Sequence, residues 1–188
     1  MRTAPRMAEA GEAQGALRRA LASSLGQLGA PLQCLAEDVL GEEDGVIDWV
    51  AAGPDGRAFV VLVAEGCGGG ALLEAGLVQR AWVRARIADW RKLAPDLALR
   101  ADLAPRVLLI ARDFARSTRI AAREAAGAGG EIWLARWSAT PGTGRIEIAR
   151  IDAERAAARE VAPPPAQRAT SRFRTGLRDA DFADANAT

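Results

Sequence analysis

Residues 46–65 read VIDWVAAGPDGRAFVVLVAE, and this stretch decides the fold class. Val46, Ile47, Trp49 and Val50 surround a single carboxylate, Asp48, with side chains that favour strands. Pro54, Asp55 and Gly56 then supply turn chemistry, proline presetting φ and glycine being free to take φ > 0. Residues 59–63, FVVLV, form a continuous apolar run suited to a strand buried on both faces. The stretch predicts a hairpin with one acid in its first strand.

Working outward, Leu17, Leu21, Leu25 and Leu28 recur at helical spacing and predict a helix over residues 13–28 that lays an apolar stripe on a sheet. Residues 1–11 read as frayed, and Gly29-Ala30-Pro31 ends the helix. Residues 32–40 suit a strand or a short helix equally, and residues 41–45, GEEDG, form an acidic turn. The glycine cluster at 66–70 lacks both Gly-Lys-Ser/Thr and Gly-x-Gly-x-x-Gly, so it reads as a flexible strand-to-helix connection and not a phosphate cradle. Residues 71–93 carry the longest helical pattern, with Leu73, Leu77, Ile87 and Trp90 on one side. Next come a buried strand at 106–111, a helix capped by Ser117 and running to 126, and a strand at 131–137. A Pro141-Gly142-Thr143-Gly144 turn leads into an alternating edge strand at 145–151. This order predicts an α/β fold with a central mixed β-sheet flanked by helices.

The hairpin and the helix after it resemble the core of the PD-(D/E)XK, or restriction-endonuclease-like, nuclease superfamily, in which an Asp ends one strand and an (Asp/Glu)-x-Lys triplet lies on the next. The likeness covers residues 32–137 in order of elements. It implies that residues 32–40 are a strand, that Glu37 stands where relatives often carry a supporting glutamate, and that Asp48 is the metal-binding acid. It also implies that Gln79 is the glutamine of a Gln/Tyr pair four residues apart that faces the active site, although Val83 replaces the tyrosine. At the triplet this chain has Leu62-Val63-Ala64. Leucine and alanine offer no hard oxygen for Mg²⁺ and no positive group for the attacking water. Glu65 is the nearest carboxylate, but strand alternation turns it away from the face shared by Leu62 and Ala64. The remnant site is therefore Asp48, Glu37, Glu65 and Gln79. The resemblance implies a catalytically inactive nuclease-like domain, without a cofactor, serving as a nucleic-acid or protein interaction module. One alternative is a divergent Mg²⁺-dependent nuclease rebuilt from those four residues; another is a structural subunit of a homo-oligomer.

Composition narrows the chemistry. The chain has 188 residues, 49% hydrophobic and 26% charged, enough for one globular domain with appended segments. Its 25 basic and 24 acidic residues leave a net charge of +1, so nucleic-acid binding needs a local patch and not a global field. Arg80, Arg84 and Arg91 are the candidates for such a patch, with Glu74 and Asp89 as competing local partners. The absence of histidine excludes Ser-His and Cys-His catalysis and removes the commonest zinc ligand. Cys34 and Cys67 are too few for a structural zinc site and are expected as free thiols in a reducing cytoplasm. No secretory signal and no apolar run of transmembrane length is present, which predicts a cytoplasmic chain without membrane contact.

The expected organisation is an N-terminal helical segment at 1–30, a nuclease-like core at 31–151, an Ala/Pro-rich linker at 152–170 and a C-terminal docking segment or disordered tail at 171–188. Phe173, Leu177 and Phe182 are the apolar anchors expected to dock the tail in cis or in trans.

Overall fold

The computed structural model describes residues 5–29, 31–127 and 131–151. Among these, six strands pair in the order β1-β2-β3-β5-β7-β8: β1 (Gln33–Leu40), β2 (Val46–Ala52), β3 (Ala58–Val63), β5 (Arg106–Ala111), β7 (Ile132–Ala139) and β8 (Ile146–Arg150). The first three form an antiparallel meander, β3, β5 and β7 run parallel, and β8 returns antiparallel to β7. The predicted α/β class and mixed central sheet are thus observed. Residues 152–188, with Phe173, Leu177 and Phe182, lie outside the described residues.

The chain makes two successive parallel crossovers in the same direction, through α2 (Gly70–Ala85) and α4 (Arg116–Ala126). Crossovers share one hand, so both helices land on the same face. Leu73 and Val83 of α2 and Ala122 of α4 pack there with Val60, Leu62, Val107 and Leu109. The opposite face is covered by α1 (Pro5–Ser24) and the 3-10 turn Leu25–Leu28, whose Leu21, Leu25 and Leu28 meet Phe59, Val61, Leu108, Ile110 and Trp137. Residues 107–111 are buried throughout, which is why the sequence there is apolar without alternation. The outer edge of β8 is met by side chains from the end of α1 and from this turn: Ser24 Oγ donates to the Ile146 carbonyl at 3.3 Å, and the Ile148 N–H donates to Gln27 Oε1 at 3.0 Å.

Several boundaries differ from the sequence expectation. The first helix starts at Pro5, where the missing N–H of proline needs no partner, and not near residue 13. The helical pattern at 71–93 is two helices, α2 and α3 (Ile87–Leu93), parted at Arg86 (φ −109°, ψ 14°). The Arg86 guanidinium sits 4.3 Å from the Trp82 ring, and Trp82 meets Trp90 edge-on, so the break turns Trp90 into the core. The glycine cluster is paired chain: β4 (Cys67–Gly68) runs parallel to β6 (Asp113–Phe114). Ala115, not Ser117, occupies the N-cap of α4, because the chain passes from β6 straight into the helix and leaves Ser117 in its first turn. Cys34 and Cys67 are free and exposed. Among the described residues no helix is long and apolar enough to cross a membrane.

Candidate functional site

Asp48 stands where the alternation of β2 breaks. Ile47 packs in the core under α2 while Trp49 packs under α1, although a regular strand would put both on one face. On β1 the opposing irregularity is Asp38, bracketed by the pairs Glu37–Trp49 and Val39–Ile47 and held at φ 49°, a left-handed conformation that Asp tolerates better than most residues. Toward β3 the ladder pairs Trp49 with Val61, and the Val63 N–H then donates to Asp48 Oδ2 at 2.7 Å. The carboxylate thus satisfies the backbone where the two strands part.

Its other oxygen faces α1. Asp48 Oδ1 lies 2.5 Å from Arg18 Nη2, an ion pair without the alignment of a hydrogen bond, and Arg18 Nη1 donates to Asp38 Oδ1 at 2.5 Å. One guanidinium is thereby held between two carboxylates, in the space a bound cation would need. Gly15, Arg19, Ala22, Glu37 and Trp49 complete a hollow of ≈ 210 Å³ around the trio. These residues do not fit a Mg²⁺ centre, because both oxygens of Asp48, the one buried acid among the described residues, already face internal donors.

Burial pushes the Asp48 carboxyl above its ordinary 3.8, outweighing the Val63 N–H and the Arg18 charge, which pull it down. A carboxyl raised on folding contributes stability that is present below the ordinary value and lost as pH rises through the raised one. At neutral pH Asp48 therefore carries a penalty that a neutral isostere lacks. Asp48→Asn keeps an oxygen for the Val63 N–H and is expected to change stability by no more than about 1 kcal/mol, with its advantage shrinking as pH falls toward the ordinary carboxyl range. Asp48→Ala strands that N–H and is expected to cost about 1–3 kcal/mol. Urea unfolding of both variants at neutral and mildly acidic pH checks this, and equal losses at pH 7 would contradict it.

The other predicted residues do not converge on Asp48. Glu37 shares the hollow, exposed at its rim. Leu62 is 4% exposed in the core under α2, and Ala64 packs against that same core, so both triplet positions lie across the sheet from the Asp48 carboxylate. Glu65 is exposed beyond the end of β3. Gln79 serves the turn at 41–45 and not the hollow: its Nε2 donates to the Glu42 carbonyl and its Oε1 accepts the Glu42 N–H, both at 2.9 Å.

The arginine candidates separate as well. Arg80 donates to the Pro105 carbonyl at 2.8 Å and is ion-paired with Glu131. Arg84 is exposed on α2, and Arg91 is exposed on α3, beyond the break at Arg86, so the three do not form one helical stripe.

Sequence reasoning missed Arg18 and Asp38. Arg18 adjoins Leu17 and precedes Leu21 by one helical turn, which places it on the flank of the sheet-facing stripe, but nothing local marks its partner thirty residues away. Comparison of the chain with family models, with curated proteins and with solved structures returned no match.

Proposed function

We propose that this chain is a restriction-endonuclease-like domain of PD-(D/E)XK type that has lost metal-dependent catalysis and serves as an interaction module. The observation that carries the reading is the internal neutralisation of Asp48, with Arg18 on one oxygen and the Val63 N–H on the other. The element order helix, three-stranded meander, helix, parallel strand agrees with the superfamily resemblance, and the leucine at the triplet's acid position is core packing. A domain built this way retains a rigid sheet and two helix-covered faces while its former catalytic acid holds α1 to the sheet.

The test is incubation of the full chain with single- and double-stranded DNA and RNA in Mg²⁺ or Mn²⁺. No metal-dependent cleavage is expected. Cleavage that requires metal and disappears in Asp48→Asn, a variant expected to fold, would overturn the reading in favour of a hydrolase rebuilt around Asp48 and Glu37.

A further inference from the structure

At the opposite end of the α1-facing side of the sheet, four adjacent strands bring arginines and aromatic rings together. By period-two counting Arg57 shares the face of Phe59, Arg106 that of Leu108, and Arg150 that of Ile148, while Trp133 stands between them on β7. The Arg150 guanidinium lies 3.9 Å and that of Arg106 5.1 Å from the Trp133 ring, with Arg106 also 5.8 Å from Phe59. Phe59 and Trp133 meet edge to face at 5.1 Å, giving the guanidiniums a fixed aromatic floor.

The charge on this floor is poorly compensated. Asp55 is the acid paired with the cluster, 3.6 Å from Arg57 Nε and 3.7 Å from Arg106 Nη1, beyond hydrogen-bonding length in both cases. The nearby Glu131 is engaged by Arg80. Arg57 donates to the Ala104 carbonyl at 3.3 Å, yet the Nε atoms of Arg57, Arg106 and Arg150 are all buried without a hydrogen-bond partner among the described residues. Burial and then the Arg57 charge hold the Arg106 guanidinium below its ordinary value, as expected when like charges gather away from water. Three crowded guanidiniums with orphaned donors are costly for a protein to maintain unless something completes them.

We propose that Arg106 and Arg150, seated on the Phe59 and Trp133 rings, form with the neighbouring Arg57 a binding site for a phosphate-type oxyanion. Such a group supplies both the missing negative charge and several acceptor oxygens that match guanidinium forks. The site lies at the far end of the sheet from the β1–β2 turn and is independent of the reading of Asp48.

Thermal melting of the full chain with millimolar pyrophosphate, together with anisotropy of a fluorescein-labelled single-stranded oligonucleotide, tests the proposal. Pyrophosphate is expected to raise the melting temperature by a few degrees, and Arg106→Gln or Arg150→Gln is expected to abolish the rise in a protein that still melts cooperatively. Oligonucleotide binding that pyrophosphate displaces, with a salt dependence flattened by about 0.7 in log–log slope for each phosphate contact a variant loses, identifies the ligand as a nucleic-acid backbone. Pyrophosphate binding without oligonucleotide binding identifies a small phosphorylated compound, and either outcome supports the site. Should the variants not fold, phenylglyoxal labelling of the wild-type chain, mapped by peptide mass spectrometry, is expected to show Arg57, Arg106 and Arg150 protected by pyrophosphate. Equal melting shifts in wild type and variants, no response to either probe, or labelling unchanged by pyrophosphate would overturn it.

Discussion

Leu62→Ala is expected to lower the unfolding free energy by about 2–5 kcal/mol, in the upper part of that range. The side chain is 4% exposed, between β3 and α2, and its Cδ1 stands 3.8 Å from where a side chain on Gly76 would begin. The helix cannot move in to fill the space left by the leucine. A Cβ at Gly76 would already be 2.8 Å from Val107 Cγ1 and 3.0 Å from Leu109 Cδ2, so α2 lies as close to the sheet as its glycine permits. The void therefore persists, and persistent voids give the larger losses. Leu62→Glu, which places an acid where the resemblance expects one, is expected to cost more than Leu62→Ala, because an ionised carboxylate there would lie in the core cluster with Val60, Val107 and Leu109. Urea denaturation of both variants decides the point. A loss under about 1 kcal/mol for Leu62→Ala would remove Leu62 from the core and reopen the assignment of β3.

The sheet was legible because its signals are local. The run at 59–63 and the run at 107–111 are apolar without alternation, which a strand covered on both faces requires, and both proved central. The hairpin turn at Pro54–Gly56 declared itself through residue chemistry, with Gly56 at φ 75°. What failed locally failed for tertiary reasons. The break at Arg86 depends on two tryptophans and a guanidinium from successive turns, whereas the apolar periodicity of residues 71–93 runs through it unchanged. The pairing of Cys67–Gly68 with Asp113–Phe114 joins residues about 46 positions apart and leaves no mark on either dipeptide.

The candidate site was legible as a position and not as an arrangement. Asp48 stands out in sequence because a lone acid in an apolar strand needs partners, and it has the Val63 N–H on Oδ2 and the Arg18 charge beside Oδ1. Which groups satisfy it depends on α1 crossing the sheet at Arg18 and on the left-handed turn at Asp38, neither of which has a motif. The arginine cluster was hidden for the same reason. Each of its members is one residue at or just before the end of a separate strand, and only the order β3-β5-β7-β8 puts Arg106 and Arg150 around the Trp133 ring with Arg57 nearby. Arg80, Arg84 and Arg91, the candidates for a basic patch in the sequence, are instead divided by the helix break.

The glutamine that the resemblance assigned to an active site leads to the second large effect. Gln79 is 3% exposed and makes two hydrogen bonds to the backbone of Glu42, acting as a peptide group would in a strand pair. It reaches that backbone because residues 41 and 45 are glycines: an added Cβ at either would overlap the Gln79 amide. The turn it grips is otherwise awkward, with Glu43 and Asp44 both at positive φ, 54° and 57°. Gly41→Ala evicts the amide and Gln79→Ala deletes it, and each is expected to cost about 2–4 kcal/mol, from the loss of the same two hydrogen bonds to partly buried groups. The backbone of Gly41 has negative φ (−102°), so alanine adds no left-handed strain of its own there. The double variant should therefore be hardly less stable than either single one, leaving a coupling of about 2–4 kcal/mol, as large as one single loss, in a double-mutant cycle measured by chemical denaturation. Additive losses would mean that Gly41 and Gln79 act separately, and that the glutamine is free to serve a site elsewhere.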